Sequence, residues 1–178
     1  MVKPGTHAAP VGTYILFAHL DHETTLSIGR LGDFDFPAGY YCYVGSARGP
    51  GGLQARLARH LRARKRPHWH VDYLLQVATI TEIWRASSFE RLECRWAEAL
   101  LHLTGATLPV PRFGSSDCGC AAHLFLFGAL PSLTAFRTQL SAVGLTSWIS
   151  RVPPGKLAVH GDGGSHAVPL HGSSCHCD

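Results

Sequence analysis

From Gly12 to Leu20 the chain is rich in tyrosine, isoleucine, leucine and phenylalanine and reads as a β-strand. After the polar Asp21-His22-Glu23 turn, Thr25 to Arg30 reads as a second, shorter one. Phe36-Pro37-Ala38-Gly39 then punctuates the chain, and Tyr40 to Gly45 forms an aromatic strand ending in a glycine-rich loop, Gly45 to Gly52. The period changes next. Leu53, Leu57 and Leu61 recur four residues apart, so a helix starting near Gly51 buries that stripe and carries Arg56 and His60 beside it, at the edge of the core.

The run from His68 to Leu75 predicts a short helix, Ala78 to Ala86 a strand, Phe89 to Leu103 a well-patterned helix, and Ala122 to Phe127 a strand that closes the core. After Leu130 the pattern weakens to one helix around Leu133 to Val143. Pro153-Pro154-Gly155 then leads into a Gly-, Ser- and His-rich stretch, expected to be largely disordered from about Arg151. The chain therefore divides into an N-terminal extension (1–11), a principal domain (12–128), a weak helical extension (129–150) and a tail (151–178), with no internal repeat.

Composition narrows the class. With 178 residues and 46% hydrophobic content the chain suits one core. Met1 to Ala9 holds no apolar run and no later stretch approaches bilayer length, which predicts a soluble, intracellular, cytoplasmic protein without a membrane partner. Cys42 and Cys94 lie in apolar segments, while Cys118/Cys120 and Cys175/Cys177 are too closely paired to bridge easily. The six cysteines thus read as thiols or metal ligands rather than a disulfide framework.

The net charge of +4 is unevenly spread. Arg48, Arg56, Arg59, Arg62, Arg64, Lys65 and Arg66, seven of the 16 lysines and arginines, fall between Asp35 and Asp72 with no acid among them. Such a run reads either as a solvated helix face or as a phosphate-contacting patch, and the missing counter-charge favours the patch.

One carboxylate stands out by phase. At about 100° per residue, Phe89, Leu92, Trp96, Ala97, Leu100 and Leu103 share one side of their helix and Arg91, Arg95 and Glu98 the other, while Glu93 falls among the apolar residues. An ionised carboxylate there costs several kcal/mol unless it is paired or binds a metal. A salt bridge to an arginine is the structural explanation, and a metal the functional one.

Gly12-Thr13-Tyr14, then Tyr43-Val44-Gly45, then Leu53-Gln54-Ala55-Arg56 followed by His60 resemble, in order and spacing, the GIY-YIG nuclease superfamily. The runs Phe36 to Tyr40, Tyr43 to Ala47, Gly49 to Leu53, Arg59 to Leu61 and His68 to Leu75 are similar to its Uri-type endonuclease branch, over roughly Gly12 to Gly128. Thr13 replaces the usual isoleucine, an exchange of β-branched residues that keeps the strand.

The resemblance implies a small α/β (α+β) fold around a three-stranded antiparallel sheet flanked by helices, with phosphodiester cleavage as the reaction. It implies Tyr14, Tyr43, Arg56 and His60 as catalytic residues and Glu93 as the ligand of one divalent ion, Mg²⁺ or Mn²⁺, since a hard cation suits one oxygen ligand plus waters. The substrate is then nucleic acid, DNA before RNA, with Arg48, Arg59, Arg62, Arg64, Lys65 and Arg66 along its backbone. Arg56 would grip phosphate through two prongs, and a tyrosine would act as base once neighbouring cations lowered its pKa.

Two further clusters compete. His68, His70 and Asp72 offer donors that Zn²⁺ accepts, although a spacing of two turns the imidazoles to different sides of a helix. Asp117, Cys118 and Cys120 with His123 show C-x-C-x-x-H spacing, with Cys94 available as a fourth ligand. A structural Zn²⁺ there is a weaker expectation than packed thiols near the active site. A non-catalytic nucleic-acid-binding module of the same fold and a zinc-binding protein are the alternatives to the nuclease; the oligomeric state is open.

Overall fold

The computed structural model describes residues 9–146 and 148–157. In chain order its elements are β1 (Gly12–Leu20), β2 (Thr24–Ser27), β3 (Asp33–Phe36), β4 (Gly39–Ala47), α1 (Gly52–Leu61), α2 (His70–Leu74), β5 (Thr79–Ser87), α3 (Glu93–Leu101), β6 (Leu124–Phe127), α4 (Leu133–Ala142) and β7 (Ser150–Val152). Five strands form one antiparallel sheet in the order β6-β4-β1-β5-β7, and β2 and β3 pair as a separate two-stranded ribbon. The fold is mixed α and β around an antiparallel sheet, as expected, with five strands in place of three.

The central position of β1 explains its unbroken apolar run, because both of its faces are covered. Tyr14, Leu16, Ala18 and Leu20 alternate onto one face, with Tyr41 and Tyr43 of β4 and Leu53 and Leu57 of α1. Ile15 and Phe17 turn to the other, against Cys42, Val44 and the α3 residues Trp96 and Leu100. The sheet thus separates two hydrophobic layers, α1 and α2 on one side and α3 and α4 on the other.

The helix after β4 starts where the glycine-rich loop turns. Gly51 has φ 78° at the N-cap, a left-handed conformation that a side chain would oppose. α4 begins at Ser132, whose hydroxyl accepts from the backbone N–H groups of Thr134 and Ala135.

Several expected boundaries move. The strand expected over Thr25 to Arg30 ends at Ser27, and a 3₁₀ turn occupies Gly29–Leu31. β3 was not expected at all; Thr25 and Ser27 hold it through hydroxyl hydrogen bonds to Asp35 and Asp33. The helix expected from Phe89 begins at Glu93, so Phe89 lies outside it and is 89% exposed. β6 is not the last strand, since Ser150–Val152 adds to the sheet edge beside β5 and Arg151 pairs with Glu82. The disorder expected from Arg151 therefore fails for residues 151–157; the rest of that tail lies outside the described residues. Among the described residues, no helix is long and apolar enough to cross a membrane.

Candidate functional site

Tyr14 and Tyr43 stand on the same sheet face. Tyr14 pairs with Gly45 and Tyr43 with Leu16, which makes the two rings diagonal neighbours on adjacent strands. Gly45 is required by this packing: a Cβ there would fall 2.4 Å from the Tyr14 hydroxyl oxygen. Behind them His60, carried by α1, is 3% exposed, deeper than the core-edge position expected for it. Its Nε2 lies 2.8 Å from the Tyr14 hydroxyl, and its Nδ1 3.7 Å from Asp72 Oδ1, too long for a hydrogen bond. Hydroxyl, imidazole and carboxylate stand in a row.

Asp72 anchors that row. Fully buried, it accepts from Arg59 at 2.9 and 3.2 Å and from the backbone N–H groups of His68 and Trp69, with Lys65 Nζ 3.5 Å away. Burial alone would raise its pKa, but His60, those N–H groups and Arg59 outweigh it and hold the carboxyl far below its ordinary value. Burial chiefly lowers the pKa of His60, against the pull of Asp72, so its neutral form is favoured. The Tyr14 hydroxyl is pushed well above its usual value by burial and then by Tyr43, and Arg56 only partly offsets this. Arg56 acts downward on both tyrosines, as expected of a neighbouring cation, but burial outweighs it and shifts Tyr14 and Tyr43 upward.

The opposite wall is built from α3. Glu93 occupies the first turn of that helix rather than its buried interior. Its Oε2 accepts from the Ser46 hydroxyl at 2.6 Å, and its Oε1 lies 3.3 Å from His123 Nδ1, an ion-pair distance without hydrogen-bond alignment. Burial would raise its pKa, but His123, Ser46 and the charge of Arg56 outweigh this and keep it below the ordinary value, so Glu93 is an ionised carboxylate at neutral pH. Among the described residues no arginine salt bridge accounts for it; the partners are a serine and a histidine.

Between the walls lies a polar cleft of about 550 Å³, onto which Tyr14, Tyr43, Arg56 and Glu93 all open. Arg48, Arg91, His68, Trp69, His70 and Asp117 line it as well. The Arg56 guanidinium carbon lies over the Trp69 ring, 4.0 Å from its centre, and that of Arg59 lies 4.2 Å from it. Each such contact is worth about 0.5–2 kcal/mol.

The basic run divides in two. Arg59 and Lys65 are engaged with Asp72, and Arg48 donates to the carbonyls of Phe89 and Glu90. Asp72, the residue that closes the acid-free stretch, folds back as the counter-charge, which corrects the reading of these cations as uncompensated. Arg62, Arg64 and Arg66 remain exposed.

Of the two rival metal sets, the first is not assembled. Asp72 points into the core toward Arg59, His70 Nδ1 accepts from the Gly114 N–H at 3.2 Å, and His68 sits at the cleft. The second is assembled: one ligand atom each from Cys94, Cys118, Cys120 and His123 lies within 4.8 Å of the others. Asp117 instead turns to the cleft.

Three residues at the cleft or behind it carry no mark of that place in the sequence. In the sequence Ser46 stands only as a member of the Tyr43 to Ala47 run, helical phase puts Arg91 opposite the apolar residues, and Asp72 reads as a metal ligand and as the end of the acid-free stretch. Nothing local marks the contact between Ser46 and Glu93, 47 positions apart.

A family model for a domain of unknown function, DUF123, matches residues 13–144, a span that runs on through α4. No curated protein matches the chain, and no solved structure does.

Proposed function

We infer that this chain, which belongs to the DUF123 family, is a metal-dependent endonuclease of the GIY-YIG type, within the Uri-type branch, hydrolysing phosphodiester bonds of DNA. One observation carries the reading. Tyr14 of β1, Tyr43 of β4, Arg56 of α1 and Glu93 of α3, distant in sequence, open onto a single polar cleft with His60 directly behind Tyr14.

The Glu93 carboxylate fits a hard divalent ion. It is ionised, faces the cleft, and keeps lone pairs beyond those taken by Ser46 and His123. Glu93 would hold Mg²⁺ or Mn²⁺, with Asp117 on the same cleft wall. When bound, such an ion supplies Lewis-acid polarisation of the phosphate and stabilisation of the leaving 3′ oxygen.

The side chains divide the remaining work. Arg56, braced by Trp69, offers two N–H donors to the non-bridging phosphate oxygens, where charge grows during attack. Arg91 adds positive charge on the same wall. Tyr14 acts as a hydroxyl, because its pKa is too high for a standing phenolate. It takes a proton from the attacking water only as its own passes to His60 Nε2. Neutral His60 is ready for that proton, and Asp72 faces the imidazolium it becomes. The exposed Arg62, Arg64 and Arg66 extend the positive surface along which a nucleic-acid backbone would run.

Incubation of the purified chain with labelled single-stranded, duplex and branched DNA, and with RNA of the same sequence, tests the reading. Cleavage of at least one DNA with Mg²⁺ or Mn²⁺, abolished by chelator, is the expected result. Binding without cleavage under every condition would overturn the enzyme and leave a binding module.

A further inference from the structure

We propose that Cys94, Cys118, Cys120 and His123 form a Cys₃His zinc site that clips the segment from His102 to His123 onto α3. The site adjoins the proposed nuclease cleft through His123 and Glu93, but it holds whether or not the cleft cleaves phosphodiesters.

The four side chains come from two places in the chain. Cys94 sits in the first turn of α3, and the other three lie just before β6. Their ligand atoms lie within 4.8 Å of one another, and Cys118 Sγ is 3.4 Å from His123 Nε2. A tetrahedral ion with Zn–S near 2.3 Å and Zn–N near 2.0–2.1 Å separates its ligand atoms by roughly 3.5–3.8 Å, so a small contraction closes the set. Three thiolates and an imidazole select zinc over the harder ion that suits Glu93.

The surrounding backbone is already folded around the cluster. Arg112, at φ 61°, donates to the carbonyls of both Cys118 and Cys120, and the Ser115 hydroxyl donates to Cys120 as well. Apart from one bridge between Thr107 and Leu126, the segment from α3 to β6 has no regular strand or helix of its own. Long irregular segments in compact domains need another source of order, and a metal clip supplies it. With Nε2 on the ion, Nδ1 of His123 carries the hydrogen and faces Glu93 Oε1, the carboxylate–histidine–metal arrangement that orients both partners.

The full chain, purified under reducing conditions without a polyhistidine tag and reconstituted with zinc, provides the test. Metal analysis should find one zinc per chain. Cys118→Ser should lose it, while Cys175→Ser/Cys177→Ser, changed only in the C-terminal thiols, should retain it. Replacement of zinc by Co²⁺ in the unmutated chain should give thiolate-to-cobalt charge-transfer bands and the intense visible bands of tetrahedral coordination, a readout independent of how Cys118→Ser folds. No bound zinc, zinc that disappears with the C-terminal pair, octahedral cobalt, or a disulfide joining two of the three cysteines would overturn the site.

Discussion

His60 and His123 are both almost fully buried and both reach a group on the cleft, Tyr14 for one and Glu93 for the other. Their protonation is nevertheless biased in opposite directions. His60 faces a neutral hydroxyl, with Lys65 and Arg56 nearby, and burial lowers its pKa despite Asp72. Burial works the same way on His123, but Glu93 and Cys118 face it without a competing cation among the main influences, and in the metal-free chain its pKa rises. A buried histidine is thus no fixed chemical part: the charges packed around it make one an acceptor and the other a donor. On the proposed reading the two walls divide accordingly, proton transfer on the α1 side and charge placement on the α3 side.

The largest effect expected on the α1 wall follows Asp72→Asn. Removing this charge leaves Arg59 and Lys65 without their buried partner and should cost about 3–5 kcal/mol, read as a fall in the denaturation midpoint. The sign with pH is fixed by the depressed pKa: the stabilisation is present above the unfolded value near 3.9 and is lost as pH falls through the folded one. The difference between Asp72→Asn and the parent should accordingly persist to about pH 4 and close only in stronger acid. A change under 1 kcal/mol would break the contrast between the walls, making Asp72 no anchor.

Tyr14→Phe comes next. It leaves His60 Nε2 without its hydroxyl partner, at about 1–3 kcal/mol of stability, and should lower cleavage by about a hundredfold or more. Full cleavage by Tyr14→Phe would remove the relay and shift the chemistry to the α3 wall.

A smaller and purely local effect concerns titration. The His60 ring, followed by NMR, should have its midpoint below 6.5, the ordinary value. Because the folded pKa is lowered, the neutral ring contributes stability that is complete above 6.5 and declines in acid. A midpoint above 6.5 would erase the difference between the two histidines.

The smallest effect is expected at the rim. Arg62→Ala with Arg64→Ala should leave melting within about 0.5 kcal/mol and reduce the salt slope of DNA binding by about one for each phosphate that is no longer neutralised. Lys65→Ala should behave differently and lower stability, since Lys65 lies beside Asp72 and donates to the His60 carbonyl. An unchanged salt slope would leave the exposed arginines without a role in binding.

How much of this was legible in the sequence varied with the range of the forces involved. β1, β4 and α1 were readable because continuous or four-spaced apolar residues decide burial locally. β3 was not, since Asp33 and Asp35 make it look polar, and its order comes from hydroxyl partners on β2. β7 was lost for a similar reason, being three residues held by pairing with β5 and by the Arg151–Glu82 contact. Glu93 was singled out by helical phase counted from Phe89, yet the helix starts at Glu93 itself. Glu93 stands out through a periodicity only partly real, while the contacts of Ser46 and His123 with it are visible only in three dimensions. The basic run misled in the other direction, because its counter-charge lies at Asp72, just beyond its end.

The claim that joins both walls is that Glu93 holds the ion needed for phosphodiester cleavage. Glu93→Gln preserves the shape and an oxygen for Ser46 while removing the charge. Cleavage rate and melting temperature measured on one preparation of Glu93→Gln test this most directly. The account predicts cleavage lower by orders of magnitude with DNA binding intact and the fold retained, melting falling only by the modest amount that the pairing of Glu93 with His123 contributes. A stable Glu93→Gln protein that still cleaves near the parental rate, or one that melts early yet stays active, would contradict it.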